Sequence, residues 1–164
     1  MALRNILTKE DPLLYKTSRP VTEFNERLHQ LLDDMRDTLE KAGGVGLAAP
    51  QVGILRRAVL VLETEVDTEA GEEEYIIELI NPEIMAVAEE KLEEAEGCLS
   101  VPGEYGLVER PVAVVVRAQD RNGNWFEVEG IGLTARCMCH EIDHLDGTLF
   151  LSKASKMLEK DDVE

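Results

Sequence analysis

The amino-acid sequence predicts an α+β domain: mainly antiparallel sheets packed around a central helix in the C-terminal half, with a second helix near the N-terminus. Three observations predict it. Apolar positions recur at helical spacing between Phe24 and Leu39, strand-like runs separated by turn residues fill 57 to 128, and a His-Glu-x-x-His helix signal follows at His140 to His144. Strands in succession, then a helix that returns to them, fit this class better than alternating βαβ units. At 164 residues, with no internal repeat and no linker, the chain suits a single domain spanning 1–164.

Residues 1 to 21, with Pro12 and Pro20, read as an extended lead-in pinned by Leu13, Leu14 and Val21. Thr22 is placed to cap the helix whose apolar stripe is Phe24, Leu28, Leu31, Leu32, Met35 and Leu39, and Gly43-Gly44 can end it in a left-handed conformation. His29 falls off that stripe and reads as solvated. The small residues from Gly44 to Pro50, closed by Gln51, read as a tight turn that lets another chain approach the backbone. Strands are expected at 57–63, 75–80 and 84–88, the last two parted by Asn81-Pro82. A further run is expected from Leu107 to Asp120, and the turn Asp120 to Asn124 leads into Trp125 to Val128.

Composition narrows the function. Seventeen basic against 34 acidic residues give a net charge of −17, which repels nucleic acid on average, and the sequence shows no compensating basic run. No apolar segment is long enough for a membrane span, and Met1 to Asp11 lacks a signal-peptide pattern, so a soluble cytoplasmic protein is expected. Three cysteines, Cys98, Cys137 and Cys139, are too few and too odd for a disulfide framework; metal ligation or burial remains.

The chemistry concentrates around His140. On a helix each residue advances about 100°, so His140 and His144 return to one face and can grip one metal ion. Glu141 stands beside that face, where a general base for water belongs. Cys98, in the Gly-bounded stretch Glu96-Gly97-Cys98-Leu99-Ser100, would complete a one-sulfur, two-nitrogen set with a fourth tetrahedral position open.

Three segments, GVGLAAPQ (44–51), EGCLS (96–100) and HEIDHLDG (140–147), closely resemble in order and spacing the three motifs of peptide deformylases, with further likeness at Asp11-Pro12, Pro20-Val21 and Arg110-Pro111. That resemblance covers nearly the whole chain. It implies a hydrolase that removes the formyl group from the N-terminal formyl-methionine of new polypeptides, releasing formate, through a metal-activated water. It implies Cys98, His140 and His144 as metal ligands, Glu141 as general acid/base, and Gln51 with the backbone N–H of Leu99 as the oxyanion donors. Gly46 would meet the substrate backbone; Val45, Leu133 and Cys137 would line part of the methionine pocket; Glu96 and Arg110 would form a supporting ion pair. The implied cofactor is one divalent ion, Fe²⁺ in the cell with Zn²⁺ or Ni²⁺ as substitutes. The implied partners are nascent formylated polypeptides, with a transient ribosome contact, in the bacterial cytosol or an organelle; neither direct nucleic-acid binding nor a membrane is expected.

Some positions depart from the family pattern. Cys139 replaces a more usual Gln, Arg136 stands where an apolar residue often borders the methionine pocket, and the tail after Phe150 is short, with Lys153, Lys156 and Lys160 set against Glu159, Asp161, Asp162 and Glu164. Three rival readings are a zinc peptidase, for which no downstream histidine supplies a third ligand, a structural Cys₂His₂ site closed by Cys137, which would leave Glu141 and Gln51 without a role, and a deformylase-like protein that binds without catalysing, against which the intact Glu141 and Gln51 count.

Overall fold

The computed structural model describes residues 2–159; the tail positions Lys160, Asp161, Asp162 and Glu164 lie outside the described residues. In chain order the elements are α1 (Glu26–Ala42), β1 (Gly46–Ala48), β2 (Ala58–Glu63), β3 (Tyr75–Val87), β4 (Lys91–Cys98), β5 (Val101–Pro111), β6 (Ala113–Gln119), β7 (Trp125–Ile131), α2 (Leu133–Leu145) and β8 (Lys156–Met157), with short 3-10 turns at Pro12–Tyr15, Ala49–Val52 and Phe150–Ser152. The strands form two antiparallel sheets, one in the order β1-β2-β3-β6-β7 and one in the order β4-β5-β8. This is the α+β, antiparallel arrangement that the sequence predicts. No helix among the described residues is long and apolar enough to cross a membrane.

Side-chain alternation sandwiches the larger sheet between the two helices. In β2, Val59 and Val61 point into the cluster formed with Ala135, Met138, Ile142 and Leu145 of α2. Ala58 and Leu60 point the other way, against Leu28, Leu32, Met35 and Leu39 of α1. A strand buried on both faces has no polar side to show, which is why 58–62 reads as one unbroken apolar run. Each leucine wholly removed from water contributes about 1.5–3 kcal/mol, so the stripe on α1 is what holds that helix to the sheet. A third cluster, Leu14, Val101, Val108, Leu149 and Phe150, fills the space beneath β5.

Several local expectations need correction. Asn25, not Thr22, caps α1, its Oδ1 accepting from the Leu28 N–H at 3.2 Å. The lead-in is not wholly extended: Asp11 caps the turn Pro12–Tyr15, which buries Leu14. The small-residue stretch after Gly44 is not merely a turn, because Gly46 to Ala48 pair with Val61 to Val59 as a strand. The pieces expected on either side of Asn81-Pro82 are one strand, β3, with a register shift there; Asn81 adopts φ 51° and its amide bonds both backbone groups of Val21, absorbing the irregularity. The run from Leu107 to Asp120 is two strands in different sheets, ended at Pro111, which has no N–H for the ladder. His29 is half-buried, with Nε2 at 2.8 Å from the Arg121 carbonyl.

The C-terminal end of α2 is fastened twice, since the Leu145 carbonyl accepts from the Ser18 N–H at 2.8 Å and from Arg57 at 3.1 Å. Gly147 follows at φ 75°, where an added Cβ would sit 2.5 Å from the Tyr15 carbonyl oxygen. Gly147→Ala is expected to lower unfolding stability by about 2 kcal/mol or more in urea denaturation, because left-handed strain adds to a backbone clash. Gly43→Ala, at φ 69° with open space around it, should cost only the strain, about 1–2 kcal/mol. Equal losses at the two positions would remove the clash from the explanation.

Candidate active site

The helix α2 carries His140, Glu141 and His144, and the tight turn between β4 and β5 brings Cys98 to meet them. Sγ of Cys98 lies 3.3 Å from Nε2 of His144, and the ligand atoms of Cys98, His140 and His144 all fall within 4.8 Å of one another. Nδ1 of His140 is 2.6 Å from Oε2 of Glu96, which leaves Nε2 as that ring's coordinating nitrogen. One thiol sulfur and two imidazole nitrogens are a donor set suited to a borderline-soft divalent ion. The group is therefore competent to hold a metal, and the chemistry of its donors is what fits one.

Glu96 is the centre of the supporting structure. Its carboxylate accepts from Arg110 Nε at 3.1 Å and Arg110 NH2 at 2.7 Å, from Arg136 NH1 at 3.0 Å and from His140 Nδ1. All four residues are buried. Burial would raise the carboxyl pKa of Glu96, but hydrogen bonds from His140 and Arg110 outweigh it and hold the group at about 2. Arg110 also reaches Asp143 on α2 at 2.8 Å. Arg136 donates to the carbonyls of Val108 and Leu92 at 2.8 Å each, so this helix residue grips both strands of the β4–β5 hairpin.

Burial works against a charged ring at His140, but the carboxylates of Glu141 and Glu96 and the sulfur of Cys98 override it and raise its pKa well above the ordinary value. Burial and the charge at His140 push His144 down to about 3. Burial also raises Glu141 to about 7. Oε1 of Glu141 and Nδ1 of His144 are buried without a hydrogen-bond partner among the described residues. A carboxyl poised near neutrality beside a set of metal-competent donors is the placement a proton-transfer group requires.

Gln51 lies in the turn Ala49–Val52, almost wholly enclosed. Its Oε1 accepts from the Ala48 N–H at 2.9 Å, and its Nε2 donates to Ser100 Oγ at 3.0 Å and faces Cys98 Sγ at 3.6 Å. A cavity of about 450 Å³ opens over these groups, bordered by Val45, Leu99, Tyr105 and Leu133. Val45, Tyr105 and Leu133 are exposed there, an apolar rim without cover. Gly46 is needed where it is, since a Cβ would meet Cys137 Sγ at 2.5 Å and Glu141 Oε2 at 2.6 Å.

Of the residues to which the resemblance gives a role, all except Arg110 border this cavity or belong to the donor group, and Arg110 stands behind it on Glu96. Cys137 is outside the donor group: its S–H donates to the Val45 carbonyl at 3.2 Å, and burial raises its pKa well above the usual thiol value. Arg136 borders the cavity and also completes the ionic clamp on Glu96, and Cys139 is packed in the apolar cluster under α2. Ser100 and Asp143, which carry no role in the sequence reading, support Gln51 and Arg110. Asp143, a carboxylate on the histidine helix, had a readable signal, since acidic residues on a buried helix need a cationic partner.

The fold and the site together define an α+β protein with a candidate metal centre. Residues 3–160 match the family model for polypeptide deformylase. A peptide deformylase of Caldicellulosiruptor bescii is 54% identical over 164 residues, covering 100% of this chain and 93% of that protein. Crystal structures of peptide deformylases from Legionella pneumophila and Thermotoga maritima superpose with TM-scores of 0.84 and 0.86 at 45% and 35% identity. Each covers 94% of this chain, and 87% and 99% of those chains. The chain belongs to the polypeptide deformylase family.

Glu96→Gln is expected to destabilise the fold by about 3 kcal/mol or more, because it removes the one fully buried counter-charge of two buried arginines, leaving Arg110 with Asp143 and Arg136 with the exposed Glu94 at 3.8 Å. A carboxyl held near 2 in the folded state, against 4.5 ordinarily, contributes stability that is present above 4.5 and lost as pH falls through 2. Denaturation midpoints at pH 6, 4 and 3 should therefore fall faster in the wild-type chain than in the variant. Parallel decline would contradict the role given to Glu96.

Proposed function

We propose that residues 1–164 act as one catalytic domain, a metal-dependent deformylase that hydrolyses the N-formyl group of formyl-methionine on newly made polypeptides and releases formate. The observation that carries this reading is the convergence of Cys98, His140 and His144 beside a buried Glu141 at the floor of an open cavity. Cys98 Sγ with Nε2 of both histidines would hold one divalent ion, Fe²⁺ in the cell with Zn²⁺ or Ni²⁺ able to replace it. Bound there, such an ion supplies Lewis acidity and lowers the pKa of water from about 15.7 towards 7.

The chain's own residues perform the remaining tasks. Glu141, raised to about 7 by burial, accepts the proton that water gives up as its oxygen bonds to the formyl carbon. The formyl oxygen gains negative charge, and the Gln51 amide with the Leu99 N–H donate to it. Gln51 reaches that task already oriented, because Ala48 and Ser100 fix both ends of its amide. Glu141 then passes its proton to the methionine nitrogen as the carbon–nitrogen bond breaks, leaving formate and a free amine. Val45, Leu133 and Cys137 line part of an apolar slot for the methionine side chain, and Gly46 offers backbone to the substrate. Such substrates place the enzyme in the bacterial cytosol or an organelle, in transient contact with ribosomes.

Glu141→Gln is expected to keep fold and metal yet lose on the order of 10²- to 10⁴-fold in formate release from a formyl-Met peptide. Gln51→Ala should lose about 10²-fold or more in kcat. Full activity in either variant would overturn the role assigned to that side chain. For the ligands, Cys98→Ser should sharply lower metal content after anaerobic purification while Cys137→Ser leaves it unchanged; equal losses would favour the structural Cys₂His₂ site.

A further inference from the structure

We propose that a second cleft, sharing no lining residue with the cavity at Cys98, binds a ligand carrying two or more phosphate groups. It lies between the N-terminal turn of α1 and the loop before β2, has a volume of about 530 Å³, and is bordered by Arg4, Arg19, Arg27 and Arg56 with Glu23 the only carboxylate among its lining residues. These arginines are scattered in the sequence, so no basic run announces them. The fold gathers them: Arg19 and Arg56 are paired side by side in a parallel bridge, and the Arg57 N–H donates to the Arg19 carbonyl at 2.9 Å.

The arginines elsewhere are accounted for. Six of the ten, Arg4 included, form ion pairs with carboxylates, and Arg117 stacks over Trp125 at 3.9 Å. The three without a carboxylate or ring partner among the described residues are Arg19, Arg27 and Arg56, all exposed and all bordering this cleft. In a chain of net charge −17, carboxylates are abundant, so leaving three guanidinium groups together unpaired is unfavourable for the fold alone. Arg27 adds to this, standing in the first turn of α1, where the helix dipole favours anions and not cations. An oxyanion ligand resolves both conflicts, and guanidinium forks match phosphate oxygens in geometry. At physiological salt, charges beyond about 8 Å are largely screened, so the acidic surface elsewhere does not cancel this cluster.

The cleft is large for one phosphate and open, which suits either a free oligophosphate or nucleotide or a short stretch of RNA backbone. The test uses the metal-loaded full chain with two probes, tripolyphosphate and a fluorescein-labelled decauridylate read by anisotropy. Binding is expected to weaken with salt, with a log–log slope of about −2 for RNA if three phosphates are contacted. Arg19→Gln combined with Arg56→Gln should weaken binding at least ten-fold, while Arg117→Gln, the loss of one arginine outside the cleft, should not. Release of formate from a formyl-Met peptide should be unchanged in the double variant, which separates this site from the reaction above. Tripolyphosphate that binds and displaces RNA assigns a free phosphorylated molecule; RNA binding that tripolyphosphate does not displace assigns a strand backbone. No saturable binding of either probe at 50 mM salt, or the same loss in Arg117→Gln as in the double variant, would overturn the proposal.

Discussion

The carboxylate of Glu96 is the constraint on which the site depends. It sits at the end of β4, two residues before Cys98, and is held by Arg110 from β5 and by Arg136 and His140 from α2. One buried anion therefore joins the hairpin that presents the sulfur to the helix that presents the nitrogens. A neutral residue there would leave two buried guanidinium groups to the half-buried Asp143 and the exposed Glu94, a larger penalty than the loss of one surface ion pair. The arrangement has a second effect. By accepting the Nδ1–H of His140, Glu96 sets which nitrogen of that ring remains for coordination.

The rest of the fold serves to hold α2 still. Its apolar face packs on the five-stranded sheet, its last carbonyl is tied by Ser18 and Arg57, and Gly46 lets β1 come close enough that Glu141 and Cys137 touch its backbone. Charge is divided in a consistent way. Carboxylates on the surface are numerous, whereas the two buried at the site, Glu96 and Glu141, lie in opposite environments: one is surrounded by cations and stays ionised, the other is desolvated and pushed up to about 7. Two glutamates of the same chemistry are thereby assigned different work by their neighbours.

Much of this is legible in the sequence. The His140–His144 spacing, the α1 stripe and the strand runs each carry a period, and period is what local sequence encodes. The grouping of Cys98 with the histidines rested on the resemblance and on donor chemistry, since no rule of spacing joins residues 42 positions apart. What escaped were features decided by distant partners. Asn81-Pro82 looked like a break because both residue types end strands, and only the partner groups on Val21 make it a bulge within β3. Arg136 does border the cavity, as its position suggests, but nothing local shows that its guanidinium is held by Glu96, Leu92 and Val108. Ser100 closes the EGCLS segment without an evident task of its own, and only the fold shows its hydroxyl accepting from the Gln51 amide. The gathering of Arg19, Arg27 and Arg56 is of the same kind, invisible until the chain is folded.

The account turns on a single centre formed by one sulfur and two ring nitrogens, and X-ray absorption at the zinc edge of the anaerobically zinc-loaded protein reads that shell directly. The expected spectrum fits one sulfur at about 2.3 Å, two nitrogens at about 2.0–2.1 Å and one further light atom. A shell with two sulfurs, or with none, would contradict it.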